Sequence, residues 1–407
     1  MTQEVARRAE AVWRIEGARI VGALVRMTGD LGLAEDLAQE AFVEALERWP
    51  VVGTPDNPGA WLTAVAKRRA IDGWRRRERR DDRYRTIAHD LAETAETAWE
   101  PVGDDVLRLI LTACHPSLSR ESQVALTLRV VGGLTTPEIA RLLLVSVPTV
   151  QARIGRATKA LAGVPFETPE PAEWAPRLAG ALGVVFLIFT EGYAATAGTE
   201  WMRPDLAAEA LRLGRVLAGL VPREPEAHAL VALMELQASR FAARRGPDGE
   251  PVLLEDQDRT RWDRAQIERG RRALHRADAL GRGRGAYALQ AAIAEQHAIA
   301  PSVAATDWAR IVALYGELAR LAPNPVVELN RAVAVAMADG PEAGLAIVDD
   351  LATRGLLRGS HLLPSVRGEL LARLGRRAEA ALALEEAAAL TSNERVRAVL
   401  LAKAARG

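Results

Sequence analysis

Ten basic and four acidic residues fall between Lys67 and Arg85, and two tryptophans, Trp61 and Trp74, lie in or beside that stretch. Like charge at this density is unfavourable on an isolated helix and favourable against a polyanion. Cationic side chains neutralise phosphates and indole faces stack on unpaired bases, so the composition suits single-stranded nucleic acid. A solvated basic face over two core tryptophans is the alternative. A second group is acidic: Asp36, Glu40, Glu44 and Glu47 recur along one helical face, with no basic neighbour in the local sequence until Arg48. That row is either a solvated face or a docking surface for a basic partner protein. A third group lies in LTTPEIARLLLVSVPTVQARIGRATKAL (134–161), which has the form of a helix-turn-helix. Thr149, Gln151, Arg156 and Lys159 face outward from its second helix, with Arg153 at the margin, where a recognition helix meets base edges in a major groove. Helix pairs of this shape also occur outside DNA-binding proteins, and the excess of Arg141, Arg153, Arg156 and Lys159 over Glu138 favours DNA.

The elements that must position these groups are helices. Ala, Leu, Arg and Glu dominate, and alternating Val/Ile/Thr runs are absent, so the fold class is all-α. Ala34, Leu37, Ala38, Ala41, Phe42, Ala45, Leu46 and Trp49 make one apolar stripe opposite the acidic row. Asn57 caps the basic helix and Pro58 opens it, a position where a missing N–H costs little. In the helix-turn-helix, Thr135 or Thr136 and Ser146 are the caps, and Val150, Ile154, Ala157 and Leu161 point inward.

At 407 residues the chain has room for two or three domains. Its 53 basic and 53 acidic residues cancel, so clustering rather than net charge carries the information. One cysteine, Cys114, excludes an intramolecular disulfide framework and fits a reducing, cytoplasmic setting. The N-terminus shows no signal-peptide pattern, and the apolar run Leu178 to Phe189 reads as a buried helix too short for a bilayer, so no membrane partner is expected. Proline-rich stretches at 50–58 and 163–172 and a poorly patterned acidic tract divide the chain into 1–80, a linker over 81–103, 104–162, a linker over 163–172, and 173–407.

In the last part, RAVA at 331–334 and RGEL at 367–370 recur about 36 residues apart, and Leu345 and Leu382 at a similar spacing, close to the period of a tetratricopeptide repeat. Stacked hairpins of this kind form a concave surface. Asp256, Asp258 and Asp263 beside Gln257, Arg259 and Trp262, with Glu191, His297 and Asp307, could be mistaken for a catalytic set. Acids beside arginines in a helical solenoid are more often ion pairs, and no metal spacing or phosphate-binding loop is present. No catalytic residue, metal or cofactor is therefore assigned, and the EDQDR tract is read as tying helices together or holding the extension against the N-terminal domains.

The order AEDLAQEAFVEALERW, WLTAVAKRRAIDGWRRRERR, linker, helix-turn-helix resembles the extracytoplasmic-function (ECF) sigma factors of bacterial RNA polymerase. Residues 10–80 look like sigma region 2 and residues 104–162 like region 4. The tract CHPSLSRESQVALTLRVVGGLTTPEIARLLLVS, with FLIFTEGYAATAG, EDQDRTRWDRAQIERG, YALQAAIAEQHA, TDWARIVALY and PVVELNRAVAVA in order, resembles a subgroup with a long tetratricopeptide-like C-terminal extension. The resemblance implies a non-enzymatic subunit whose partners are core RNA polymerase, through the β′ clamp helices and the β subunit, and promoter DNA. It implies that Asp36, Gln39, Glu40 and Glu44 face the clamp helices. Trp61, Lys67, Arg68, Asp72, Trp74, Arg75 and Arg76 would hold the −10 element, and Thr149, Gln151, Arg153, Arg156 and Lys159 the −35 duplex. The extension would take a regulatory role, through a separate protein or an intramolecular contact. A standalone helix-turn-helix regulator with a ligand- or partner-sensing solenoid is the competing reading, and it leaves the RRRERR helix unexplained.

Overall fold

The computed structural model describes residues 2–78, 103–143, 145–194, 201–247, 249–252 and 254–405. The linker expected over 81–103 lies, apart from Gly103, outside them. Among the described residues the helical expectation holds throughout: the β features are confined to an isolated bridge between Arg245 and Pro251.

Two compact units divide the chain, residues 1–185 and 186–407. The first contains α1 (Thr2–Thr28), α2 (Leu31–Val52), α3 (Pro58–Glu78), α4 (Gly103–Ala113), α5 (Arg120–Val130), α6 (Thr136–Leu143), α7 (Val147–Ala160) and the larger part of α8 (Pro171–Tyr193). The division therefore falls within α8 and not at the prolines of 163–172. Local signals set most boundaries as expected. Asp30 accepts from the Leu33 N–H at 3.0 Å to start α2, and Asn57 accepts from the Ala60 N–H at 3.0 Å to start α3. The break expected at 50–58 is shorter than its prolines suggest. Pro50 is tolerated in the last turn of α2, which ends when Gly53, at φ 88°, returns its N–H to the Trp49 carbonyl.

The apolar stripe of α2 is buried at Ala34, Leu37, Ala38, Ala41, Phe42, Ala45 and Trp49. It packs on α1, where Trp13 meets Phe42 with ring centroids 5.0 Å apart. The same Trp13 lies where a side chain on Gly133, after α5, would meet it at 3.3 Å. α1 also packs on α4, so α1–α3 and the helices from α4 onward in this unit share one core. Asp105 at the start of α4 is fully buried and pairs with Arg26 of α1 at 3.2 Å and with Arg108 at 3.3 Å. Arg129 of α5 pairs with Glu35 of α2.

α8 is longer than the apolar run within it. Within Ala172–Tyr193 an 18-residue stretch reaches mean hydropathy 1.4, enough by length and composition alone to cross a bilayer, which corrects the expectation that it is too short. Leu178, Ala181, Leu182, Val184, Val185, Ile188 and Phe189 are nevertheless buried, whereas Leu187 is exposed.

The second unit continues with α9 (Pro204–Leu220), α10 (Pro225–Ala238), α11 (Arg264–Ala279), α12 (Ala286–Ile299), α13 (Trp308–Leu321), α14 (Pro325–Ala338), α15 (Pro341–Thr353), α16 (Leu362–Arg373), α17 (Arg377–Leu390) and α18 (Glu394–Ala404). Each packs on the next, the arrangement of a solenoid of hairpins. Two hairpins repeat in register at 36 residues. In α14 and α15 a side chain on Gly344 would strike the Ala332 carbonyl at 2.6 Å; in α16 and α17 one on Gly368 would approach the Ala380 carbonyl at 3.2 Å. Each crossing thus pairs a glycine with an alanine, the glycine changing sides. Leu382, expected to match the buried Leu345, is one residue out of this register and 67 % exposed.

Four of the acids considered for catalysis, Asp258, Asp263, Asp307 and Glu191, are engaged in caps, turns and ion pairs. Asp258 accepts from the Thr260 N–H, Asp263 caps α11 through the Gln266 N–H at 2.9 Å, and Asp307 caps α13 through the Arg310 N–H at 2.8 Å. Glu191 pairs with Arg203. His297 packs its ring 5.3 Å from that of Trp308, and burial, reinforced by the Arg240 and Arg259 charges, pushes its pKa down to about 3. Unfolded, this imidazole protonates near pH 6.5, so below that pH the unfolded chain binds the extra proton. Stability of the second unit should fall as pH drops from about 6.5 towards about 3. His297→Gln is expected to flatten this slope in urea titrations run from about pH 6.5 down to about pH 5, where most carboxylates stay ionised.

Candidate polymerase-docking and promoter-binding faces

The acidic row on α2 is not isolated. Asp36 and Glu40 are exposed, and Gln39 and Glu44 are half-buried. Arg69 of α3 reaches back to both carboxylates, Nη1 to Glu40 at 2.7 Å and Nη2 to Glu44 at 2.8 Å. Arg48 adds a 2.9 Å bond to Glu44, and Arg68 lies 3.7 Å from it. The Arg69 and Arg48 hydrogen bonds hold the Glu44 carboxyl below the usual carboxylate range. The acidic face and the basic helix are therefore one latticed surface. Arg69 was missed in the sequence because its partners are 25 and 29 residues away. Asp36 makes no ion pair among the described residues, which leaves it more available to a partner's cation than Glu40 or Glu44.

α3 carries Trp61, Lys67, Arg68 and Asp72 on its described surface, and Trp74, Arg75 and Arg76 continue the same helix. Arg68 and Asp72 are exposed, and Lys67 is half-buried, with desolvation lowering its pKa. Trp61 is half-buried. Its ring meets the buried Trp49 edge-on, centroids 5.6 Å apart at 65°, and the Arg48 guanidinium lies 5.9 Å above it. This indole fixes α3 against α2, and only part of its surface is open to a ligand.

The helix-turn-helix forms α6 and α7. A capping box starts α6: Thr135 Oγ1 accepts from the Glu138 N–H at 3.4 Å, and Glu138 accepts from the Thr135 N–H at 2.7 Å. Ser146 caps α7 through the Thr149 N–H, with Pro148 in the first turn. Val150, Ala157 and Leu161 are buried, and α7 packs on α5. Gln151, Arg156 and Lys159 are exposed together, Arg153 is half-buried, and Thr149 bonds Ser146 Oγ at 2.8 Å. Gly155 sits among the exposed set, and a Cβ there would meet nothing within 4 Å. Gly155→Ala is therefore expected to stabilise α7 by about 1 kcal/mol, read as a raised melting temperature of the first unit.

Among the described residues no group of three or more His, Cys, Asp or Glu is placed to hold a metal. Cys114 is buried, and its thiol pKa is pushed up to about 11 by desolvation, which leaves it a poor nucleophile.

Comparison with known proteins places these faces in a family. Residues 14–80 match the family model of Sigma-70 region 2, residues 108–161 that of Sigma-70, region 4, and residues 177–278 a family of unknown function. The uncharacterized protein R00370 of Rhizobium meliloti (strain 1021) is 44 % identical over 389 residues, covering 92 % of this chain and 89 % of that protein. The probable ECF RNA polymerase sigma factor SigI of Mycobacterium tuberculosis is 35 % identical over 136 residues, 32 % of this chain and 46 % of that protein. The ECF RNA polymerase sigma factor SigK of Mycobacterium ulcerans is 29 % identical over 150 residues, 35 % of this chain and 78 % of that protein. A crystal structure of a tetratricopeptide repeat protein from Parabacteroides merdae aligns with a TM-score of 0.36 at 13 % identity, covering 70 % of this chain and 93 % of that one. The ECF RNA polymerase sigma factor SigL of Mycobacterium tuberculosis is 32 % identical over 141 residues, 34 % of this chain and 77 % of that protein; with the Sigma-70 region 2 and region 4 models matched in order as well, the chain belongs to the ECF sigma factors of the sigma-70 family, and it carries a long C-terminal extension of helical hairpins.

Proposed function

We propose that this chain directs core RNA polymerase to a specific set of promoters in the cytoplasm and performs no catalysis of its own. The observation that carries the reading is the coexistence, on one unit, of the α2–α3 surface and the exposed face of α7. Asp36, Gln39, Glu40 and Glu44 present acceptors to basic clamp helices on the β′ subunit. Trp61, Lys67, Arg68, Asp72, Trp74, Arg75 and Arg76 then meet the −10 element as its strands separate. Thr149, Gln151, Arg153, Arg156 and Lys159 lie over the −35 duplex. The extension contributes regulation, through a partner protein or a contact within the chain.

Run-off transcription from the chain's own upstream region, with the full-length protein added to sigma-free core polymerase, tests this directly. A discrete transcript absent with core alone is expected. Tight duplex binding without polymerase, and no transcript with the full chain and core, would instead fit a standalone helix-turn-helix regulator. Arg153→Ala with Arg156→Ala removes two cations from α7 and leaves α2 intact. The pair should weaken use of −35-dependent promoters at least tenfold and lower the salt dependence of promoter binding, while affinity for core stays unchanged.

A further inference from the structure

A cavity of about 420 Å³ opens in the second unit, within the range of small-molecule sites. Its walls are apolar side chains from α14, α16 and α18, among them Val333, Met337, Val366, Leu370 and Leu400, with Trp308 of α13. Val333 and Leu362, both lining residues, are 36 % and 39 % exposed, so the cavity is open to solvent on their side.

The charges around the cavity do not cancel. Arg373 pairs with Glu255 at 2.5 Å, and Lys403 pairs with Glu369 at 2.6 Å, so each lining carboxylate already has a cation. Arg259 is the remaining lining cation. It is 7 % exposed and has no carboxylate partner among the described residues. Its Nη1 donates to the His297 and Ala300 carbonyls, both at 2.7 Å, and its Nη2 donates to Thr306 Oγ1 at 3.2 Å. A guanidinium has five N–H groups, so two are left over. A second cation, Arg240, shares the Trp262 ring with it: the two guanidinium carbons lie 5.7 and 5.0 Å from that ring's centroid. Buried positive charge without a counter-ion is unfavourable unless a ligand supplies the negative charge.

We infer that this cavity binds a small amphiphilic monoanion, an unbranched alkyl carboxylate whose tail fills the apolar walls and whose head group lies at Arg259. The head supplies the one charge missing from the lining. The tail requires no polar partner along the walls. The carboxylate, as a planar two-oxygen acceptor, suits the two spare N–H groups of a fixed guanidinium. This site belongs wholly to the second unit and does not depend on the sigma reading of the first.

Calorimetric titration of the full-length protein with dodecanoate, below its micelle-forming concentration, tests the inference. Saturable binding is expected, with dodecanol at least roughly tenfold weaker and dodecyltrimethylammonium weaker still. Val333→Trp fills the cavity from a partly exposed position and should abolish binding while the circular dichroism stays unchanged. Arg259→Lys retains the charge but not the fork and should weaken dodecanoate while sparing dodecanol. Equal affinity for dodecanoate and the ammonium analogue would overturn the inference. So would binding that survives Val333→Trp, or no binding of dodecanoate at all.

Discussion

Asp36→Lys combined with Glu40→Lys should lower affinity for core RNA polymerase by about a hundredfold or more, measured by competition against a labelled sigma factor. The size follows from the sign change: each substitution removes an attraction to a basic helix and installs a repulsion at the same point. Glu40 also holds Arg69 at 2.7 Å, so the variant disturbs an internal pair as well as the docking face. Arg69→Ala separates the two effects. It breaks the same pair, and the Glu44 pair, without reversing the face. The Glu40 pair is exposed and contributes about 1 kcal/mol or less, and the half-buried Glu44 keeps its 2.9 Å bond from Arg48, so the control should still fold. It should bind core at least as well as the unaltered chain, because Glu40 and Glu44 are released to a partner. Equal loss of binding in both variants would assign the effect to the fold of α2 and α3 and remove the docking argument.

Trp49→Ala is the second large effect expected. Trp49 is 1 % exposed and is among the largest fully buried side chains of the molecule. It closes the α2 stripe and carries the edge-on contact with Trp61. Truncation to alanine leaves a cavity of nearly an indole's volume and should cost about 3–5 kcal/mol. The loss should appear as faster amide hydrogen exchange through α2 and the start of α3, resolved by mass spectrometry, with the helices of the second unit unchanged. Promoter opening at the −10 element should fail in the same variant, because α3 loses the wall that orients Trp61. Trp49→Phe is the informative partner. The Trp49 Nε1 is buried without a hydrogen-bond partner among the described residues. Phenylalanine removes that unsatisfied donor, which offsets part of the lost volume. It should therefore stay close to the unaltered protein in exchange and in transcription. A Phe variant as damaged as the Ala variant would mean that the indole nitrogen has a partner in solution.

Features whose physics is confined to a turn or two are legible along the chain. Helical composition, the stripe from Ala34 to Trp49, the caps at Asn57, Thr135 and Ser146, and the inward positions Val150, Ala157 and Leu161 all depend on neighbours within a few residues. The order of the basic helix and the helix-turn-helix was legible for the same reason, since each is a local pattern. Which distant groups meet depends on how the helices pack. Arg69 crosses to Glu40 and Glu44, Trp61 leans on Trp49, and Asp105 and Trp13 join regions 2 and 4 in one core. Leu382 shares its spacing with Leu345, yet it lies one residue off the 36-residue register and faces solvent. Arg259, read along the chain as one cation in an acidic tract, becomes the unpaired charge of an apolar cavity because its acidic neighbours turn to other tasks. Asp258 accepts within its own turn, Asp263 caps α11, and Glu255 pairs with Arg373 far along the chain. Periodicity fixes the face on which a side chain lies, whereas the crossing of one helix over another fixes what that face touches. Those crossings follow from the close fit of many side chains at once, such as the glycine–alanine contacts between α14 and α15 and between α16 and α17, and no local pattern encodes them.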